Sequence, residues 1–188
     1  MAVKRIRLLG DPVLRRKSPV VGDPAAPRVA ALAQDLRDTL VAFRREHGYG
    51  RGIAAPQVGA LERVLVIDAP KSGFSSTLVN PEITGQSDET VVVWDACFSL
   101  PGLMVEVRRW AAVVVDYIDL GGVKRTLQAS GELSELLQHE IDHLDGILAL
   151  DRAATPHSVW SREEWERQRS EDYYGQAHLP RLRDTGKI

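Results

Sequence analysis

The sequence contains a single cysteine, Cys97, so no disulfide can form within the chain, and a lone thiol is compatible with a reducing compartment. Long apolar runs are also lacking. The longest obvious one, residues 111–115, is far shorter than the roughly 20 residues that a membrane-spanning helix needs, and no apolar segment of signal-peptide length lies near the N-terminus. These absences predict a cytoplasmic protein that makes no membrane contact.

Neither positive nor negative charge is in large excess. Lys and Arg number 24, Asp and Glu number 26, and the formal net charge is -2, so we expect no nucleic-acid specificity. The chain has 188 residues, 44% of them hydrophobic, which is enough to bury a core without crosslinks. We expect one main domain over residues 1–150 and, over residues 151–188, a linker and a helix that pack on the same domain.

The hydrophobic pattern predicts the order helix, several strands, helix, helix. Apolar residues at spacings of three and four predict a first helix between Pro27 and Gly48. The same spacing predicts a second helix over residues 130–144, and a capping box at Ser161 predicts a third. Strands are predicted at residues 63–69, 77–79 (limited by Pro81), 90–94, 103–107, 111–118 and 123–127, with a linker at residues 155–159. Because no regular βαβ alternation occurs, the fold class is α+β with mostly antiparallel sheets.

The strongest chemical signal lies on the second predicted helix. His139 and His143 are four residues apart, so their imidazoles lie one above the other on a helix and can hold one divalent metal. Glu140 between them can take a proton from water and pass it to a leaving amine. The alternative is a solvated helix face with two chance histidines. Apolar residues on a compatible buried face, and only five histidines in the chain, favour the metal site.

A catalytic site of this kind needs a third protein ligand and one open position. Cys97, Asp142, Asp145 or another carboxylate are the candidates. Cys97 is the only thiol and lies at the end of a predicted strand, but a free cysteine is more often a small buried hydrophobe. The residues alone therefore leave the third ligand open.

Four stretches of the chain resemble the peptide deformylase family, in the family's order. They are residues 9–15 (LGDPVLR), 50–57 (GRGIAAPQ), 95–99 (DACFS) and 138–146 (QHEIDHLDG). The resemblance implies a divergent member or paralogue with a deformylase-like catalytic domain, in which sheets surround a central helix that carries the HExxH motif. It also implies hydrolysis of an N-terminal formyl amide on peptides or nascent proteins.

The resemblance implies roles for particular residues. Cys97, His139 and His143 would hold one divalent metal ion, Fe²⁺ in the family, with Zn²⁺, Ni²⁺ or Co²⁺ also accepted. Metal-bound water would attack the formyl carbon, with Glu140 as general base and acid. A transient ribosome contact is compatible with a nascent-chain substrate, although the mixed charge of residues 162–169 favours a solvated face.

Negative charge develops on the formyl oxygen during the reaction, and the family stabilises it with hydrogen-bond donors. The resemblance implies that these donors are here the side-chain amide of Gln57 and the backbone N–H of Phe98. Phe98 stands where the family has Leu, and we expect it to narrow the site. The glycines Gly50 and Gly52 let their loop approach the substrate closely. A Gly-rich loop alone would favour a simple surface turn, and its combination with Gln57 and Cys97 changes that interpretation.

Departures from the family pattern concentrate in the substrate pocket. Arg51, between the two glycines, and Glu132, seven residues before the first histidine, replace apolar residues that line the methionine pocket. If both side chains point inward, they can pair across the pocket, and formyl-methionine peptides become weak substrates. If both extend outward, the pocket stays apolar. Asp95 replaces Glu and is expected to pair with Arg109.

Two other functions remain open at this level. The first is a divergent hydrolase of another N-acyl substrate or short peptide amide. The second is a non-catalytic metal-binding protein that uses the groove for recognition. The presence of Glu140 and Gln57 argues against the second, because metal binding alone needs neither.

Overall fold

The structure is a computed structural model and describes residues 2–175. Its α-helices are α1 (Pro27–His47), α2 (Gly131–Leu144) and α3 (Arg162–Gly175). Its strands are β1 (Gly52–Ala54), β2 (Val64–Ala69), β3 (Phe74–Gln86), β4 (Thr90–Asp95), β5 (Leu103–Trp110), β6 (Ala112–Ile118), β7 (Lys124–Ser130) and β8 (Val159–Ser161). No helix among the described residues is both long and apolar enough to cross a membrane.

The strands form two antiparallel sheets, with the orders β1-β2-β3-β6-β7 and β4-β5-β8. The first four residues of strand β2 (VLVI) are buried on both faces, as their unbroken apolar sequence predicts, whereas Asp68 near its end is half-buried. Leu65 and Ile67 belong to the hydrophobic core that includes residues of α2, whereas Val64 and Val66 belong to the hydrophobic core that includes residues of α1. The helix α2 contacts strands of both sheets, so the predicted α+β fold around the HExxH helix is confirmed.

Helix α2 occupies the predicted segment. Its apolar residues pack on the first sheet, and Leu137 and Leu144 are fully buried there. Ser130 is the N-cap residue as expected, although its side chain makes no capping hydrogen bond. After the helix, Gly146 has a φ of 74°, and a Cβ at this position would come within 2.7 Å of the Arg15 carbonyl oxygen. Only glycine fits this turn without displacing backbone.

The prediction that Pro81 limits the second predicted strand, at residues 77–79, was wrong. Strand β3 spans 13 residues and continues through Pro81. The register against β6 shifts between Val79 and Glu82, which places the proline at a bulge where no ladder N–H is required. Asn80 takes the left-handed conformation there, with a φ of 52°, and its side chain bonds both backbone groups of Val21.

The predicted linker at residues 155–159 was also wrong in part. It contains a short 3₁₀ turn (Pro156–Ser158) and the start of β8, which pairs with β5. Three residues are too few to show a strand period in sequence. Helix α3 follows at once, and the Ser161 hydroxyl accepts a hydrogen bond from the Glu164 N–H at 3.2 Å, as the capping motif predicted. The proposed division at residue 150 stays a prediction, and its segment 151–188 extends beyond the described residues.

Candidate metal centre

Helix α2 and the turn after β4 bring Cys97, His139 and His143 together. One ligand atom of each side chain lies within 4.8 Å of the other two, and the Cys97 Sγ is 3.2 Å from the His143 Nε2. All three are buried, with exposed fractions of 3, 8 and 1%. One thiol and two imidazoles facing a common point form a donor set for a transition metal.

The two aspartates that were alternative third ligands point elsewhere. Asp142 pairs with Arg109 and Arg152, each at 2.5 Å. Asp145 pairs with Arg63 at 2.7 Å. Both carboxylates are therefore engaged in ion pairs away from the Cys-His-His cluster.

Asp95 links the cluster to the second sheet. Its Oδ2 accepts a hydrogen bond from the His139 Nδ1 at 3.1 Å and one from the Arg109 Nη2 at 2.7 Å. The expected pair between Asp95 and Arg109 is confirmed, so the shorter acid does reach its partner. The contact with His139 was missed by the sequence analysis. With Nδ1 engaged, the Nε2 of His139 is directed to the cluster.

Burial and neighbouring charges set the protonation of the metal-free cluster. Burial alone would lower the pKa of His139, but the Asp95 carboxylate raises that pKa well above its ordinary value. Burial and the charge on His139 hold the pKa of His143 well below its ordinary value. A metal ion that binds here has to displace the proton on His139, so metal affinity should fall at low pH.

Glu140 lies beside the cluster in a dry environment. It is 3% exposed, and burial raises its pKa to about 7. Its buried Oε2 has no hydrogen-bond partner within residues 2–175. A Cβ at Gly52 would come within 2.6 Å of the other oxygen, Oε1, so only glycine lets this strand approach the carboxylate so closely. A carboxyl with a free oxygen and a pKa near neutrality can both accept and donate a proton.

Gln57 is held so that its amide nitrogen faces the cluster. Its Oε1 accepts a hydrogen bond from the Ala54 N–H at 2.8 Å, which fixes the orientation of the amide. The Nε2 then lies 3.6 Å from the Cys97 Sγ and 3.4 Å from the Ser99 hydroxyl. The side chain is 2% exposed, so its donor operates away from bulk water.

Phe98 follows Cys97 directly, and its ring packs into the hydrophobic core that includes residues of α1. The ring stacks on Phe43 with centroids 3.8 Å apart. A Cβ at Gly50, whose φ is 129°, would come within 2.7 Å of this ring, so glycine is required there too.

The two charged residues predicted for the substrate pocket do meet. The Arg51 Nη1 lies 3.0 Å from the Glu132 Oε2, and the two side chains are 35 and 49% exposed. Arg51 also approaches Glu135, with 3.6 Å between Nη2 and Oε1. The sequence analysis missed Glu135. Its position four residues before His139 places it on the same helix face, and this spacing could have identified it.

The fold and this site define a metal-dependent hydrolase, in which an HExxH helix supplies two histidines and a buried carboxyl beside a thiol. A family model described as polypeptide deformylase matches residues 3–159. The chain belongs to this family, whose members remove the N-terminal formyl group from nascent peptides. The family and the cluster together indicate a single metal ion.

Named relatives cover most of the chain. The peptide deformylase of Acetivibrio thermocellus is 41% identical over 169 residues, which is 90% of this chain and 92% of that protein. That of Thermomicrobium roseum is 43% identical over 162 residues, 81% of this chain and 86% of that protein. Among solved structures, peptide deformylase from Thermus thermophilus is similar with a TM-score of 0.74 and 37% identity, covering 90% of this chain and 94% of its own. The enzyme from Ehrlichia chaffeensis in complex with actinonin has a TM-score of 0.78 and 29% identity, covering 92 and 99%.

Proposed function

We propose that this chain deformylates nascent proteins in the cytoplasm with one Fe²⁺ ion held by Cys97, His139 and His143. The observation that carries the proposal is the buried cluster of these three side chains beside Glu140, whose Oε2 has no hydrogen-bond partner among the described residues. A thiolate with two imidazoles suits iron, zinc, nickel and cobalt, and the resemblance to the family favours iron among them.

The donor set fits a metal ion. The Cys97 Sγ and the His143 Nε2 already lie 3.2 Å apart. Asp95 fixes the ring of His139 through its Nδ1, which leaves Nε2 for the ion. When bound, the ion supplies a Lewis acid that polarises the formyl oxygen and makes water a stronger nucleophile at neutral pH.

Glu140 is the proposed proton carrier. Its carboxylate takes a proton from the attacking water and delivers it to the amide nitrogen as the C–N bond breaks, which releases formate and a free N-terminus. In the metal-free protein, burial raises the pKa of Glu140 to about 7, toward the range in which a carboxyl both accepts and donates a proton.

Gln57 and the backbone N–H of Phe98 are the proposed donors to the negative charge that develops on the formyl oxygen. The Ala54 N–H holds the Gln57 amide in place before substrate binds, so little reorganisation is needed during the reaction.

The proposed substrate contacts are Gly50, Arg51, Gly52 and Glu132. Strand β1 is an edge strand, because the order of its sheet begins with it. An extended peptide can therefore pair with the backbone around Gly50 and Gly52. The described part of α3 carries charges of both signs, so any ribosome contact through it would be transient.

Metal content tests the ligand assignment. Cys97→Ala, His139→Ala and His143→Ala should each lose most of the bound metal, because a three-ligand site depends on every ligand. His157→Ala is the matched control, since His157 is exposed and distant in sequence from the cluster. Metal analysis of protein purified without oxygen also identifies the ion. A full equivalent of metal in Cys97→Ala would remove Cys97 from the ligand set.

A further inference from the structure

Arg44 lies in the last turn of α1 and joins two segments of the sheet edge with one guanidinium. Its Nε donates to the Gly50 carbonyl at 2.9 Å. Its Nη1 and Nη2 donate to the carboxylate and the carbonyl of Asp68, at 2.8 and 3.1 Å. The hydrogen bond from Arg44 holds the pKa of the Asp68 carboxyl below its usual value, so the pair is charged at neutral pH. The proposed function gives Arg44 no role.

Strand β1 has few backbone bonds that hold its start. Its ladder with β2 covers three residue pairs and begins at Gly52. Before Gly52, the Asp68 N–H continues the ladder by donating to the Arg51 carbonyl at 2.7 Å. The guanidinium then bridges the carbonyls of Gly50 and Asp68, two acceptors that cannot bond to each other. Two glycines in three residues leave this backbone flexible unless other groups fix it.

The backbone groups of β1 alternate between β2 and the free edge of the sheet. The Arg51 carbonyl faces β2, because it accepts a hydrogen bond from a β2 N–H. The Ala54 N–H faces away from β2, since it donates to the Gln57 side chain. By this alternation the backbone of Gly52 also faces the free edge, beside Glu140. A peptide that pairs with β1 therefore pairs at Gly52, and its placement depends on how well the preceding segment is fixed.

We propose that Arg44 is a positioning residue, which holds the start of β1 in the conformation that presents Gly52 to the backbone of an extended substrate. This inference rests on the proposed deformylase activity. Hydrogen bonds from a charged guanidinium are stronger than those between neutral groups. Fixing the two-glycine segment before the substrate arrives removes part of the ordering cost of binding. The effect falls on peptides long enough to pair with β1 rather than on the chemistry at the formyl group.

The test compares formyl-Met-Ala-Ser amide with formyl-Met amide, which has no backbone beyond its first residue. Arg44→Met keeps most of the side-chain length and removes every donor. It should lower the ratio of kcat/KM for the long substrate to that for the short one by roughly 10-fold, about the effect of one hydrogen bond to a charged group. The change should lie in KM, because pairing along the strand is equally strong in the ground state and the transition state. A variant that is merely less stable would lower both values and leave the ratio unchanged.

Three further variants sharpen the comparison. Arg45→Met is the matched control, because Arg45 is the next residue on α1 and is exposed, and it should leave the ratio unchanged. Arg44→Lys keeps the charge but lacks the planar fork that reaches both segments, so it should restore part of the ratio. Asp68→Asn should lower the ratio in the same direction and carries the test if Arg44→Met does not fold. Combined with Arg44→Met it should add little, because both changes break one contact.

Hydrogen exchange and product binding separate this inference from the proposed function. Arg44→Met should exchange the Asp68 amide proton faster than the wild type does, because that N–H bonds to the segment that Arg44 fixes. Calorimetric binding of Met-Ala-Ser amide and Met amide reports the same selectivity without turnover. If the wild type released no formate from either substrate, the proposed function would fail and the binding ratio would decide the inference. An equal ratio in the wild type and Arg44→Met overturns it.

Discussion

The Oδ2 atom of Asp95 lies 3.1 Å from the His139 Nδ1 and also accepts a hydrogen bond from Arg109. One carboxylate oxygen thus connects a candidate metal ligand on α2 to strand β5. Arg109 also pairs with Asp142 on α2, so buried ion pairs join the HExxH helix to strands β4 and β5. The arrangement fixes the ring of His139 and increases the basicity of its free nitrogen.

Asp95→Asn should weaken metal binding by about 10- to 100-fold, as loss of a partner to a ligating histidine generally does. The amide keeps the size but lacks the charge that holds the proton on Nδ1. Competition with a chelator of known affinity measures the effect. Asp116→Asn is the control, because this aspartate is exposed and its side chain bonds only to the Thr126 hydroxyl among the described residues. Equal affinity in Asp95→Asn and the wild type would show that the contact does not support the metal.

Gln57→Ala should lower kcat by about 10²- to 10³-fold if the Gln57 amide donates to the developing oxyanion. The metal content should stay near that of the wild type, because Gln57 is not a proposed ligand. Steady-state kinetics on a formylated peptide separate the two parameters. A change confined to KM would instead make Gln57 a group that positions the substrate.

Glu140 should make the stability of the metal-free protein depend on pH. Its folded pKa of about 7 lies above the ordinary 4.5, so the folded state binds the proton more tightly than the unfolded state. The contribution of Glu140 to the free energy of unfolding is fully present below pH 4.5 and is lost as the pH rises through 7. The loss amounts to roughly 3 kcal/mol. Urea unfolding of metal-free wild type and Glu140→Gln from pH 5 to 8 measures it. The variant should gain relative stability as pH rises, and a constant difference would contradict the assignment.

Arg51→Ile combined with Glu132→Leu should raise kcat/KM for formyl-Met-Ala-Ser by roughly 10- to 100-fold, since each 1.4 kcal/mol is tenfold. The substitution removes the pair that the two residues form and supplies an apolar wall for methionine. Efficient cleavage by the wild type, with no gain in the double variant, would mean that the charged side chains stay out of the pocket.

Local patterns explain what could be predicted from sequence. The four-residue spacing of His139 and His143 and the apolar face of α2 depend on helix geometry alone, so the metal-binding helix was found directly. Cys97 is different, because its approach to the histidines depends on how the second sheet packs against α2. The residues left the third ligand open, and only the resemblance to a family selected Cys97.

Long-range contacts explain what was missed. The contact between Asp95 and His139 joins residues 44 positions apart. The bulge that lets β3 pass Pro81 depends on Asn80 bonding to Val21, 59 positions away. Neither contact has a local signature. Glu135 did have one, its helical spacing of four residues from His139.

Formate release by Glu140→Gln tests the central proposal most directly. The metal-loaded wild type should release formate from formylated peptides under anaerobic conditions. Glu140→Gln should keep one equivalent of metal while its rate falls by about 10²- to 10⁴-fold, because the general acid and base is lost. Metal analysis and formate assay on the same samples give both quantities. A variant that keeps both its metal and the wild-type rate would contradict the proposed mechanism.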